Sequence, residues 1–470
     1  MISNFTEGNN LLKKNYDICI IGAGAAGIAL SLKLNKKLNI CLLESLDNSN
    51  ENFKEISEEV YDGEVIGDEY FDLRYCRVRS FGGSTNHWGG YMMPLDRYDL
   101  TNKKYLSETF WPINFDELEK YKNEARKIFK ITNFEKNRKL NGAIEIFYKE
   151  KPIRFSYEYK NYFRNSKNIE LIFNSNLVDL NIKNNRILNV KCSNYNHFTY
   201  EIKSKIFIFA MGGIENCRFL SWFNEKYFKN KIMPIGNYWM EHPHNISADA
   251  ILYDKINSTR YFKIPEDKKI KNKIANCIIG LEPRPRITSK TKEIIREIAC
   301  INPTLGKNII SKFNKNLYCH SIIRTISEQQ PIKENKIILQ SKKDYFGIPK
   351  SKLYWKKNSF DLRTVQKSLE EFAYFLTQNK LGSLGIKKIF YEGSFPKDEI
   401  SGGNHHMGGT IMGTDKNKSV CDKNLKFWDL KNLYITGSSV FPTSGAANPT
   451  FTIVQLALRL ADHLNKKNLN

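Results

Sequence analysis

Four glycine-rich stretches carry most of the residues that could do chemistry. The first is Gly22-Ala-Gly24-Ala-Ala-Gly27, with Glu44 closing the next apolar run. This spacing suits a dinucleotide. Gly22 permits a tight turn, Gly24 lets a pyrophosphate approach the backbone, and Gly27 lets helix and strand pack closely. The following helix N-terminus then faces the phosphates, and Glu44 can accept hydrogen bonds from ribose hydroxyls. The second is Gly82-Gly83-Ser84-Thr85-Asn86-His87-Trp88, and the third is Ala210-Met211-Gly212-Gly213. The fourth is Asn404-His405-His406-Met407-Gly408-Gly409-Thr410, followed by Gly437-Ser438 and then Asn448-Pro449-Thr450. Histidine is the side chain best matched to proton transfer near neutral pH. None of the nine cysteines forms a Cys-x-x-Cys pair, so neither a zinc site nor a dithiol centre is indicated, and no metal ligand set is expected.

The elements that must hold these residues follow from hydrophobic patterning. Tyr16–Ile21 and 39–43 read as buried parallel strands around an apolar helix at 28–34, a complete βαβ unit. Residues 45–75 read as a polar loop. Residues 101–166 read as charged and helical, with a helix starting near Trp111-Pro112. Strands are expected at 169–173, 177–182, 186–192, 198–202 and 206–209, the last fully apolar. Ser359–Gln378 has a long helical pattern, and the chain closes on an amphipathic helix over 450–464. There Asn448 suits an N-cap and Pro449 the first helical position.

Composition narrows the class. The 470 residues carry 73 Lys and Arg against 50 Asp and Glu, a net charge of +23, with 41% hydrophobic and 13% aromatic residues. Such a chain can build a large core and is not disordered. No nucleic-acid reading motif accompanies the charge, so nucleic acid is not an expected partner. Lys, Asn and Ile rise together along the whole chain, which reads as compositional bias, with an anionic substrate as the competing explanation. The N-terminus lacks a signal-peptide core and no apolar stretch is long enough to span a membrane. With scattered thiols in apolar runs, a cytoplasmic protein is expected.

The motifs together resemble the glucose–methanol–choline (GMC) family of FAD-dependent oxidoreductases. The Gly22 to Glu44 unit resembles the family's ADP-binding unit, and Gly82 to Trp88 its flavin-clamping loop. The 209–213 stretch resembles the strand end that covers the dinucleotide. Tyr238-Trp-Met-Glu-His242-Pro243 is typical, and 406–462 resembles the C-terminal signature. The resemblance implies an α/β (α+β overall) fold, GMC or p-hydroxybenzoate-hydroxylase-like. A Rossmann-like FAD-binding domain would be assembled from 1–100, 170–245 and 398–470. A helical insertion at 101–169 and a substrate domain at 246–397, with an antiparallel sheet, would complete it.

The same resemblance implies the site. His406 heads a His-x-x-Gly-Thr register and would be the general base, with Asn448 orienting the substrate hydroxyl while hydride leaves for the flavin N5; His405 would be structural. This His–Asn pairing resembles that of pyranose 2-oxidase. The implied FAD contacts are Gly22, Gly24, Ala25, Gly27, Glu44, Gly82, Gly83, Ser84, Asn86, His87, Trp88, Leu177, Val178, Ala210, Gly212, Gly437, Ser438, Pro449 and Thr450. His87 falls where some members join the flavin covalently. The implied activity is oxidation of a CH–OH donor, a sugar or polyol, including an acidic or lipid-linked sugar, with the electron acceptor left open. A non-redox lyase on the same fold, or a basic binding protein with an inert FAD domain, are the alternatives.

Overall fold

The computed structural model describes all residues except 6–14, 35, 48–51, 230–233, 255, 284–288, 293, 295–320, 397–401 and 468–470. The expected start of the last segment at 398, and two of the nine thiols, Cys300 and Cys319, lie outside the described residues. The other seven cysteines are buried free thiols.

The apolar runs do form a parallel sheet. Strand Tyr16–Ile21 is flanked by Ile40–Leu43 on one side and Thr199–Phe209 on the other. Ile169–Phe173 and Ile2–Asn4 extend the sheet beyond Ile40–Leu43, and Leu433–Ile435 pairs with 207–209. Strands buried on both faces are expected to be continuously apolar, as Ile40–Leu43 and the 206–209 stretch are. Three separated parts of the chain therefore meet in one sheet. Helices Ala25–Lys33 and Thr450–Asn465 pack together over it.

Thr199–Phe209 is one strand where the sequence pattern reads two. Its first half alternates exposed and covered residues and pairs antiparallel with Arg186–Ser193. Its second half is buried and pairs parallel with Tyr16–Ile21. The change of pattern marks a change of surroundings, not a break in the chain.

A second, antiparallel sheet has the order Gly382–Ile386, His244–Leu252, Ser321–Ser327, Cys277–Glu282, Arg260–Lys263, Ile144–Ile146, Arg138–Lys139. Helix Ser359–Gln378 backs it, with Phe372 and Phe375 packed on Phe262. Its Asn358 N-cap accepts from Phe360 N–H and Asp361 N–H in a capping box. The mixed α/β architecture with an antiparallel second sheet is the expected fold class.

Two local expectations give way. The 101–169 stretch is not uniformly helical: its strands at 138–139 and 144–146 join the antiparallel sheet, while Phe155 and Phe163 of helix Phe155–Asn165 belong to the core of the parallel one. The 45–75 stretch holds helix Lys54–Val60 and strand Gly63–Gly67, which pairs parallel with Pro349–Trp355. A five-residue strand whose partner is so distant in sequence leaves little local signal.

Candidate active site

The carboxyl ends of the parallel strands lead straight into the glycine stretches, which is where an open α/β sheet builds its ligand crevice. Gly22 turns at φ +105°, and a Cβ there would stand 2.5 Å from the Ala210 carbonyl oxygen. The second glycine stretch reaches the same place: a Cβ on Gly83 would lie 3.1 Å from the Gly24 Cα, and Gly82 N–H donates to the Ala23 carbonyl at 2.8 Å. Two bare backbones thus form one wall of a cleft of about 490 Å³.

Most of the implied contacts line this cleft: Gly22, Gly24, Ala25, Glu44, Gly83, Ser84, His87, Trp88, Leu177, Ala210, Gly212, Gly437, Ser438, Pro449 and Thr450, together with His406 and Asn448. Gly27, Gly82, Asn86 and Val178 are not among the lining residues. Asn86 is occupied in shaping the loop. Its Nδ2 donates to the Phe81 carbonyl and its Oδ1 accepts from Ser156 Oγ, both at 2.7 Å. Glu44 also has work within the protein, accepting from Ala23 N–H at 2.9 Å and from Ser45 N–H at 2.7 Å. His87 is exposed at the cleft, on a loop held by Arg154, which donates to the Trp88 carbonyl at 2.7 Å. Partial desolvation at the cleft wall first, and Arg154 second, lower the His87 pKa and favour its neutral ring.

Arg77 tests what the cleft can hold. Its Nη2 donates to Glu215 at 3.0 Å and to the Tyr61 carbonyl at 3.2 Å, and its guanidinium lies 4.1 Å from the Tyr61 ring centroid. Its Nε and Nη1 are buried with no partner. Buried cationic donors left unpaired are costly, and an anionic group in the cleft would satisfy them. Bare glycine backbone, a helix N-terminus and orphaned arginine donors fit a pyrophosphate-bearing cofactor such as FAD.

At the other end of the cleft the two adjacent histidines face different neighbours. Asn448 lies beside His405, not His406: its Nδ2 is 3.3 Å from His405 Nε2. Adjacent side chains on an extended backbone point to opposite sides, and Met407 is bridged antiparallel to Met240. His406 is thereby turned onto Trp239, with ring centroids 6.0 Å apart and 28° between planes, while its carbonyl accepts from Ser438 Oγ. Its Nε2 has no partner, and burial, with Arg77 second, pushes its pKa down to about 3. Asn448 does not cap the last helix either. The N-cap is Pro449 without a side-chain bond, which leaves the Asn448 amide available to the cleft.

His405 is held from below. Its N–H donates to Glu241 at 2.8 Å, and Glu241 also accepts from His242 N–H at 2.9 Å, from Gly403 N–H at 3.1 Å and from the Tyr70 hydroxyl. His405 Nδ1 lies 3.0 Å from His242 Nδ1, whose Nε2 lies 2.8 Å from the Gly445 carbonyl. Burial, then His242, His244 and His406, hold the His405 pKa well below its ordinary value. Burial takes His242 down to about 4 and His244 to about 3. A cluster of neutral imidazoles can accept a proton but carries no standing charge. His405, His242, His244 and Arg77 are the site residues that the sequence reading did not select. The Glu241-His242-Pro243 run was the available signal, because it places a carboxylate and an imidazole on one strand end.

Comparison with known proteins bears on the family and the fold. A family model described as GMC oxidoreductase matches residues 331–457. A 2-methyl-1,2-propanediol dehydrogenase of Mycolicibacterium austroafricanum is 28% identical over 163 residues, covering 34% of this chain and 28% of that protein. A pyranose 2-oxidase of Tricholoma matsutake is 30% identical over 120 residues, covering 25% of this chain and 20% of its own. The matched stretches thus span well under two thirds of these relatives. In fold, the chain is similar along almost its full length to pyridoxine 4-oxidase from Mesorbium loti, with a TM-score of 0.61, 13% identity, and coverage of 97% and 100% of the two chains.

Proposed function

Because the C-terminal part of this chain is a GMC oxidoreductase domain, we propose that the protein binds FAD along the strand-end cleft and oxidises an organic alcohol beside His405. The observation that carries this reading is the contact of His405 with Asn448 inside the cleft that the glycine stretches form. Bound FAD supplies a two-electron acceptor for the hydrogen on the carbinol carbon. Gly22, Gly24, Gly83, Gly212 and Arg77 would hold its phosphates, and Pro449 and Thr450 would present the last helix's positive end to it.

The protein's own part is positioning and proton acceptance. His405, in place of His406, takes the hydroxyl proton as general base: burial and the neighbouring histidines keep its ring neutral, with a lone pair available. Asn448 donates to the substrate oxygen and fixes its direction. Glu241 anchors the His405 backbone so that neither partner drifts.

Similarity to the diol dehydrogenase and to pyranose 2-oxidase supports a sugar or polyol as substrate. Among the described residues no helix is long and apolar enough to cross a membrane, and the seven buried free thiols support a reducing, cytoplasmic location. The test is anaerobic titration of the flavin-loaded protein with sugars, polyols, sterols and amino alcohols. Bleaching of the flavin by one class supports the reading and names the substrate. No bleaching by any alcohol, with a lyase activity on the same protein, reverses it.

A further inference from the structure

A base is only useful if its lone pair points at the proton. The two ring nitrogens of a neutral histidine are not equivalent: one carries hydrogen and donates, the other is bare and accepts. Which is which at His405 decides whether Nε2, the atom beside Asn448, can receive anything.

The contacts settle the assignment step by step. The Gly445 carbonyl, 2.8 Å from His242 Nε2, can only accept, so Nε2 of His242 must carry the hydrogen. In a neutral His242 this leaves Nδ1 bare. That bare nitrogen is 3.0 Å from His405 Nδ1, and two bare nitrogens would repel, so His405 Nδ1 must carry a hydrogen and donate it. His405 Nε2 is then bare, and the neighbouring Asn448 amide can donate to its lone pair until a substrate hydroxyl comes between them, donating to Nε2 and accepting from the amide. The reverse chain would need either a bare Nε2 against a carbonyl or a doubly protonated His242 in a site with no exposed surface.

We propose that His242 is a positioning residue that locks the tautomer of His405, the Gly445 carbonyl dictating, through the His242 ring, that the His405 lone pair lies on Nε2 in the cleft. This rests on the reading of His405 as the base and adds to it the residue that makes it one. The loop that supplies Asn448 also supplies Gly445, so the orienting amide and the tautomer lock are set by a single stretch of chain. His242 itself need never touch substrate.

The direct test is ¹⁵N NMR of the histidine-labelled, flavin-loaded protein, with the His405 and His242 signals assigned by the His405→Gln and His242→Asn variants. The expected spectrum has a protonated Nδ1 and bare Nε2 at His405, and the opposite at His242. A bare Nδ1 at His405 overturns the proposal. In His242→Leu, which cannot accept at all, the His405 signals should become a mixture of tautomers. In His242→Asn the side-chain carbonyl can replace Nδ1 as acceptor and the single tautomer should persist. An unchanged His405 tautomer in His242→Leu also overturns it. With an alcohol substrate, His242→Leu should lower kcat by about tenfold or more, a part of the roughly 10²–10⁴-fold that a positioned general base contributes, at constant KM, and His242→Asn should recover most of that. A rise in KM with kcat intact would mark a merely structural role. The spectrum needs no substrate, so a protein that oxidises no alcohol would fail the functional reading while the tautomer assignment is still tested.

Discussion

Glu241 accepts the backbone N–H of His405 through both carboxylate oxygens, at 2.8 and 3.0 Å, with no surface exposed to solvent. The 240–242 stretch leading into strand His244–Leu252 and the turn at 403–407, far apart in the chain, are tied at the atom pair that fixes the direction of His405. The tie has consequences for stability as well as for chemistry.

Removing the Glu241 carboxylate leaves three N–H groups and the Tyr70 hydroxyl without an acceptor in a buried site. At roughly 1–3 kcal/mol for each buried group left unsatisfied, Glu241→Ala should lose about 3 kcal/mol or more. Urea denaturation of the flavin-free protein measures this. A loss under about 1 kcal/mol would mean that water replaces the carboxylate.

Placing the base at His405, as proposed, predicts a sharp kinetic contrast between the two adjacent histidines. His405→Gln should slow anaerobic flavin reduction by about a hundredfold or more, the usual contribution of a general base. His406→Phe keeps a ring on Trp239 and should stay far closer to the wild type. Equal losses in the two variants, read by stopped-flow absorbance, would return the base to His406.

Loss of Arg77 should weaken the cofactor and spare the fold. Glu215 retains Arg218, whose guanidinium lies 2.9 Å away, so Arg77→Met leaves no bare carboxylate. Two or more charge-assisted hydrogen bonds are worth about 1.5–3 kcal/mol each, so FAD should bind at least tenfold more weakly while the thermal transition of the apo-protein changes little. Fluorescence titration with FAD measures the first and calorimetry the second.

His87 lines the cleft with its neutral ring favoured, and the family resemblance implies a covalent flavin link there. On acid denaturation, flavin fluorescence should stay with the chain in the wild type and leave with the supernatant in His87→Ala. Yellow supernatant from the wild type would show that the flavin is held without a covalent bond.

The buried imidazoles also set an acid limit. His406 is held near 3 and His242 near 4 against about 6.5 in an unfolded chain, so the unfolded state binds more protons between these values. Their contribution to stability is complete above about 6.5 and is lost as pH falls toward 4, by up to about 1.4 kcal/mol per pH unit for each ring. Asp99 and Asp361, raised by burial to about 6 and about 7, run the other way across the same window. The measurement is therefore a difference: His406→Phe should show a shallower acid loss than the wild type. Parallel curves would mean that His406 is not neutral through the loss of solvent.

The sheet and the dinucleotide crevice were legible because their signals are local. A run such as Tyr16–Ile21 followed by three spaced glycines states its own geometry, and the capped pattern at Ser359–Gln378 forms the expected helix. The strand at Gly63–Gly67 was not legible, since its partner at Pro349–Trp355 is remote. Which of His405 and His406 faces Asn448 was not legible for a different reason. Motif spacing places a histidine along the chain, but which side of an extended backbone it occupies depends on the Met240–Met407 bridge, a contact between distant residues.

The pairing of Leu433–Ile435 with the inner half of Thr199–Phe209 has a kinetic consequence. As the protein is synthesised, the 206–209 edge and the apolar faces of the first strands are finished long before their last partner exists. Contacts of such sequence separation close late and slowly, and an open apolar edge in the meantime invites pairing with other chains. The order of assembly thus leaves both His405 and Asn448 to the final stage, so a nascent chain would expose its stickiest surface well before it could bind its cofactor fully or turn over a single substrate.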